Sequence, residues 1–183
     1  MSEIYLIRHG RTEANEKWLY CGSTDLFLSE KGAEDLKNIS YTVSENVIFI
    51  TSGMNRTEQT LNILFGDVPH KIDDRFKEVD FGIFEMKSYE SLKDQADYQA
   101  WISGDNEKNV PPKGESGEQM KKRVLEGLKA LQKEVNPVVL VCHGGVIACI
   151  MEHLYPQENK NRYEWQPKPG HGYLIKDGRY QEL

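Results

Sequence analysis

The 183-residue sequence contains no apolar run approaching the roughly 20 residues that a membrane-spanning helix needs, which argues against a helical span. No charged-then-apolar leader follows Met1 either, so a cytoplasmic protein is expected. Cysteine is scarce: Cys21, Cys142 and Cys149 are an odd number without Cys-x-x-Cys spacing, which fits reduced thiols better than a disulfide framework or a zinc site. Positive charge is in deficit, with 23 Lys and Arg against 29 Asp and Glu, a net charge of -6 and a pI of about 5.4. A broad basic face for nucleic acid or anionic membrane is thereby disfavoured, and any anion site must be a local cluster. Repeats, low-complexity tracts and linkers are absent. Residues 1–183 therefore read as a single domain, long enough to bury its core without disulfides, metal or cofactor. Nothing in the composition indicates an oligomeric state.

What is present is an alternation of short apolar runs and helical periodicities. Ile4 to Ile7 form a continuous apolar run that reads as a buried central strand. A loop is expected from Gly10 to Phe27, then a helix capped by Ser29 with Ala33, Leu36 and Ile39 on one face. Val47 to Ile50 read as a second strand, followed by a helix spaced by Met54, Thr57, Leu61 and Leu64, and a short third strand falls around Lys71 to Asp73. The segment at about 75–114 is different, with aromatics scattered among charges. It reads as a lid-like excursion over one end of the sheet, with short helices near Tyr89 to Leu92 and Asp94 to Ser103. Ser116-Gly117-Glu118-Gln119 is a capping box for a long helix that carries Met120, Val124, Leu128, Leu131 and Val135 inward until Asn136-Pro137. Val138 to Cys142 make another buried strand, Val146 to Leu154 a buried helix, and Tyr173 to Ile175 a last strand turning at Asp177-Gly178. The economical architecture is a three-layer α/β/α sandwich with a mostly parallel central sheet.

Three strand tips carry polar residues of catalytic type. Arg8-His9-Gly10 follows the first strand, Ser52 and Arg56 follow the second, and His143-Gly144-Gly145 follows the fourth. In open α/β sheets ligands sit beyond the carboxyl ends of the strands, so Arg8, His9, Arg56 and His143 could face one crevice. Such a cluster suits a phosphoryl group: planar guanidiniums grip its oxygens while an imidazole attacks in line, and no metal is needed.

The same residues resemble the histidine phosphatase, or phosphoglycerate mutase-like, family. Arg8-His9-Gly10 with Thr12 and Asn15 matches its opening stretch; Gly22, Asp25, Leu28, Ser29 and Gly32 follow its second. Ser52, Arg56, Gln59 and Thr60 resemble its Ser-x-x-x-Arg-x-x-Gln-Thr stretch. Glu78, Phe81-Gly82, Phe84 and Glu85 resemble its Glu-x-x-Phe-Gly-x-x-Glu stretch, and His143-Gly144 its closing His-Gly. The matches run in order over nearly the whole chain. The resemblance implies that His9 is a nucleophile forming a phosphohistidine, that Arg8, Arg56 and His143 hold the phosphoryl oxygens, and that Glu78 protonates the leaving oxygen and then serves as base for water. Asn15 is implied as an oxygen-contacting amide and Thr12 as a brace, the alternative for both being a turn residue bonding its own backbone.

Arg11 stands where many members carry Glu or Gln and reads as a solvated loop residue; Met86 stands where many have Gly. Phe81-Gly82 with Glu85-Met86, Tyr98 to Trp101, Pro112-x-Gly114-Glu115 and Arg123-Val124 resemble the α-ribazole phosphatases of cobalamin synthesis. Trp18, Tyr20, Phe84, Tyr89 and Trp101 could offer flat faces to a ring-bearing substrate or simply pack. Cys142 reads as a small buried hydrophobe, and His70, His153 and His171 share no spacing that suggests a site. A small-molecule phosphomonoesterase for α-ribazole 5′-phosphate is the implied activity. A broad-specificity phosphatase, a phosphoglycerate mutase and an inactive phospholigand-binding relative remain as alternatives. The chain is short for a mutase, and the excursion offers few basic partners for a second acid group apart from Lys87 and Lys93.

Overall fold

Strand β1 (Ile4–Arg8) is a continuous apolar run because both of its faces are covered. In the computed structural model, which describes residues 2–105 and 107–183, Ile4 and Leu6 point into one core and Tyr5 and Ile7 into another. The chain continues through α1 (Glu13–Glu16), α2 (Glu30–Leu36), β2 (Ile48–Thr51), α3 (Asn55–Phe65) and β3 (His70–Ile72). Next come α4 (Tyr89–Leu92), α5 (Ala96–Ile102), α6 (Gly117–Leu131), β4 (Val138–Cys142) and α7 (Gly144–Leu154), and the hairpin β5 (Gly172–Lys176) and β6 (Arg179–Glu182) follows.

Among the described residues these strands form a six-stranded sheet in the order β3-β2-β4-β1-β5-β6. Strands β3, β2, β4 and β1 run parallel, while β5 pairs antiparallel with β1 and β6 with β5. Val138, Leu140 and Cys142 of β4 join the core beneath α6 and α7, and Val139 and Val141 join the one that Leu61 of α3 fills from the opposite face. The result is a three-layer α/β/α sandwich whose central strands are covered twice. At the β5–β6 turn, Asp177 and Gly178 both take positive φ, the conformation the twist of a two-residue hairpin demands. No helix among the described residues is long and apolar enough to cross a membrane.

Helix α6 opens on the expected capping box: Ser116 Oγ accepts from Gln119 N at 3.1 Å, and Gln119 Oε1 accepts from Ser116 N at 2.8 Å. Its far end departs from the periodicity. The helix stops at Leu131, where Lys133 N and Glu134 N bond to the carbonyls of Ala130 and Leu131 in tighter turns, and Val135 is left 90% exposed. The loop after Gly10 also contains the one-turn α1, whose Thr12 and Asn15 form a capping box of their own. Four residues are too few for periodicity to register.

The excursion has its own small core of Phe84, Leu92 and Tyr98, against which Tyr20, Phe81 and Trp101 pack. Phe84 is wholly buried there and presents no face to a ligand. The segment is tied to the region after α1 by a bridge between Leu19 and Ser88, with Tyr20 N donating to Lys87 O at 3.0 Å and Met86 N to Tyr20 O at 2.7 Å. Met86 has φ 59°, a left-handed conformation that explains why glycine suits this position.

The two ends of α6 give a direct comparison. Leu128→Ala should cost about 2–5 kcal/mol in urea unfolding, whereas Val135→Lys should change stability by no more than about 0.5 kcal/mol. A large loss at Val135 would mean that the helix continues inward past Leu131.

Candidate active site

Strand β1 delivers His9 to a buried position at its carboxyl end, with 6% of its surface exposed. Its backbone N donates to Cys142 O at 2.9 Å, which ties the ends of β1 and β4 together. The ring is fixed by Nδ1, 2.6 Å from Gly10 O; since a carbonyl only accepts, Nδ1 carries the proton and Nε2 keeps its lone pair. Gly10 N in turn donates to Thr60 Oγ1 at 2.9 Å, and that hydroxyl donates to Arg56 O, so α3 braces the loop. Burial, then the charges of Arg56 and Arg8, hold the His9 pKa well below the ordinary imidazole value. The imidazole is therefore neutral.

Arg56 is almost completely buried, and its guanidinium is held by backbone carbonyls: Nη1 donates to Thr24 O at 2.9 Å and Nη2 to Gly22 O at 2.7 Å. Those carbonyls are aimed by Glu85, whose carboxylate accepts from the backbone nitrogens of Gly22, Ser23, Thr24 and Phe81 and from Thr24 Oγ1. A side chain at Gly22 would collide with Val79 O, which its Cβ would approach to 1.6 Å. Asp25 caps α3 by accepting from Asn55 N at 2.8 Å and Asn55 Nδ2 at 2.9 Å. Arg8 donates through Nη1 to Pro167 O at 2.8 Å, and its Nε is buried without a partner. Burial lowers the pKa of both guanidiniums, and arginine's high starting value keeps them charged.

His143 follows β4 as the N-cap of α7 and lies beside His9, the ring centroids 5.2 Å apart and edge to face. Both of its nitrogens are engaged within the chain. Arg56 Nε donates to Nδ1 at 3.3 Å, and Nε2 lies 2.8 Å from Ser52 Oγ. Burial and then Arg56 push its pKa well below the ordinary value.

Glu78 reaches the start of α7, where its carboxylate accepts from Gly145 N at 2.9 Å and from Val79 N at 3.0 Å. Glycines make this approach possible. A Cβ on Gly145 would come within 2.5 Å of Glu78 Oε1, and one on Gly144 within 3.2 Å of Arg8 Cζ. Arg123 of α6 fixes the backbone on the other side, donating to the carbonyls of Arg75, Lys77 and Glu78 while paired with Glu115.

Arg8 and Glu78 line a cavity of about 450 Å³ whose walls include Tyr20, Trp101, Glu107 and Arg162. An adjoining groove of about 570 Å³ shares Arg8 and Tyr20 and is bordered by Arg11, Asn15, Trp18, Tyr89 and Tyr163. Asn15 Oδ1 is occupied by the α1 capping box, accepting from Thr12 N at 3.0 Å, so its amide nitrogen is the part that can meet a ligand. Arg11 is solvated, 3.9 Å from Asp35. Lys87 and Lys93 do not line the cavity; Arg162, in a segment without periodicity, does. Burial pushes the Cys142 thiol up, as befits a core residue. His70 pairs with Glu58, and the His171 side chain bonds through Nδ1 to Leu183 O while its carbonyl accepts from Arg8 N at 2.9 Å. The positioning roles of Glu85, Asp25 and Arg123 escaped sequence reasoning, because they act on backbone groups that no spacing reveals.

The sequence profile of the histidine phosphatase superfamily, branch 1, matches residues 4–176. Adenosylcobalamin/alpha-ribazole phosphatase of Salmonella typhimurium is 28% identical over 176 residues, which cover 91% of this chain and 86% of that protein. The 6-phosphofructo-2-kinase/fructose-2,6-bisphosphatase 4 of Rattus norvegicus is 33% identical over 155 residues, 82% of this chain and 32% of that protein; the chain thus spans about a third of that relative's length. The crystal structure of the alpha-ribazole phosphatase from Shigella flexneri shares the fold, with a TM-score of 0.83 over 99% of this chain and 94% of that one at 24% identity. The architecture is phosphoglycerate mutase-like.

The histidines provide a test of the buried electrostatics. In a proton NMR titration, the ring signals of His9 and His143 should stay flat as the pH falls through the ordinary value of 6.5, because both imidazoles remain neutral. His70, raised by its bond to Val68 O and by Glu58, should titrate above that value. Protonation of His9 near pH 6.5 would contradict its own burial and the arginine charges beside it.

Proposed function

The chain belongs to the histidine phosphatase superfamily, and from that premise we propose that it hydrolyses small phosphomonoesters without a metal, through a phosphohistidine on His9. The observation that carries this reading is the 2.6 Å contact between His9 Nδ1 and Gly10 O, which leaves Nε2 as a fixed, neutral nucleophile. In the first step Nε2 attacks phosphorus in line, the bond to the ester oxygen breaks, and Glu78 gives that oxygen its proton. In the second, water attacks the phosphohistidine, Glu78 takes the water's proton, and the phosphorus–nitrogen bond breaks to return His9 and release phosphate.

Arg8 and Arg56 supply the positive charge for the equatorial oxygens, a role supported by the unpartnered Arg8 Nε and by guanidinium hydrogens that the backbone carbonyls leave over. His143 contributes by exchanging Ser52 for a phosphoryl oxygen at Nε2, and Asn15 by its amide nitrogen. The substrate we propose is α-ribazole 5′-phosphate, which makes this a cytoplasmic enzyme of cobalamin synthesis. The Salmonella relative's name supports it, as do the aromatic walls formed by Tyr20 and Trp101, which suit a flat ring better than a compact dianion.

Rapid quench with labelled substrate should trap acid-labile, base-stable phosphate on His9. Label elsewhere, or full activity in His9→Ala, would defeat the mechanism. Arg56→Lys should be severe, since a point charge cannot replace the fork. In single-turnover phosphorylation of His9, Glu78→Gln should slow alkyl phosphates by about 10²-fold or more yet spare esters of acidic phenols; equal losses on both would remove Glu78 as the acid of the first step. In a substrate panel, α-ribazole 5′-phosphate should be preferred, with negligible interconversion of 3- and 2-phosphoglycerate; efficient mutase activity would overturn the substrate assignment.

A further inference from the structure

The cavity that contains Arg8 and Glu78 holds a second arginine with no part in the chemistry proposed above. Arg162 Nη2 donates to Glu107 Oε2 at 2.9 Å, and the two side chains keep 29% and 43% of their surface, so the pair is open to the cavity. Glu107 is set by the fold. Its carbonyl accepts from Glu118 N at 3.0 Å in the first turn of α6, and its carboxylate lies over Gly117, where a Cβ would meet Oε2 at 2.2 Å. Apart from Arg8, Arg162 is the one cation among the described lining residues, which include three carboxylates, Glu78, Glu107 and Glu115, the last paired with Arg123.

We propose that the Glu107–Arg162 pair is a charge filter, which admits phosphomonoesters whose alcohol part is uncharged and rejects those carrying a second anionic group. The inference rests on a phosphoryl group sitting at Arg8 and His9. Within this cavity a second phosphate or carboxylate meets a cation whose charge Glu107 already offsets; to gain its full charge it must separate Arg162 from Glu107, and it would then lie beside that freed carboxylate. An uncharged alcohol meets no such cost. The guanidinium hydrogens that Glu107 leaves over can donate to its hydroxyls, while Tyr20 and Trp101 cover its apolar surface.

Two phosphonates of nearly equal size, neither of them cleavable, separate the possibilities by calorimetry on the whole protein. Propylphosphonate ends in a methyl group and 3-phosphonopropionate in a carboxylate. The protein should bind the first about tenfold more tightly or better, and Glu107→Gln should narrow that ratio by about tenfold by freeing Arg162. Adding Arg162→Met to Glu107→Gln should remove the gain in carboxylate binding, an outcome that mere loosening of the loop would not produce. An unchanged ratio in Glu107→Gln, or a gain that persists in the double variant, overturns the filter. If either variant fails to fold, the wild-type preference decides, and equal or tighter binding of 3-phosphonopropionate defeats the proposal. Inorganic phosphate is the control. Its failure to bind would overturn the phosphoryl site and the filter together, whereas phosphate binding with an unmoved ratio overturns the filter alone.

Discussion

The buried guanidinium of Arg56 and the half-buried one of Arg8 lie beside an imidazole, and among the described residues neither is paired with a carboxylate. Carbonyls hold them instead: Gly22 and Thr24 for Arg56, and Pro167 for Arg8. A carbonyl orients a guanidinium without cancelling its charge, so the field at His9 stays positive within a chain whose net charge is -6. Much of the surrounding structure serves this arrangement. The loop at Gly22 must turn its carbonyls inward, Glu85 gathers the amides that would otherwise be stranded by that turn, and Asp25 fixes the start of the helix that carries Arg56.

The pairing of the two site histidines is a consequence of sheet register. Strands β1 and β4 are parallel neighbours in which Arg8 lies opposite Cys142, so the next residues, His9 and His143, leave the sheet side by side. A shift of one residue in either strand would turn its apolar side chains to the opposite core and separate the rings. The apolar alternation that stabilises the two cores thus also sets the geometry of the site.

Sequence and structure agree most closely where a pattern is long or ends abruptly. The doubly covered strands were legible as apolar runs, and Arg8, His9, Arg56 and His143 as polar residues at their tips. The same reading failed at Val135, where apolar periodicity continued for a turn that the backbone did not follow; it left Phe84 open between facing a ligand and packing, because its place in a satellite core depends on contacts with Leu92 and Tyr98. Arg162 was not legible at all. It enters the cavity from the irregular segment after α7, and a single arginine there has no periodic partner to mark it. Glu85 could be matched to a motif, but its work on three consecutive amides becomes visible only once the loop is folded.

The bridge between Leu19 and Ser88 bears on how a ligand is received. With Met86 and Lys87 bonded to Tyr20 on one side and Glu85 bonded to the Gly22 loop on the other, the excursion is sewn to the body along its inner margin. These bonds hold it along its inner margin and not only at its two ends. A ligand therefore meets a chamber whose shape is already set, and binding carries little entropic penalty for ordering chain around it. The complementary cost is adaptability: a closing motion that improved the fit of a poorly matched molecule would have to break these bonds first.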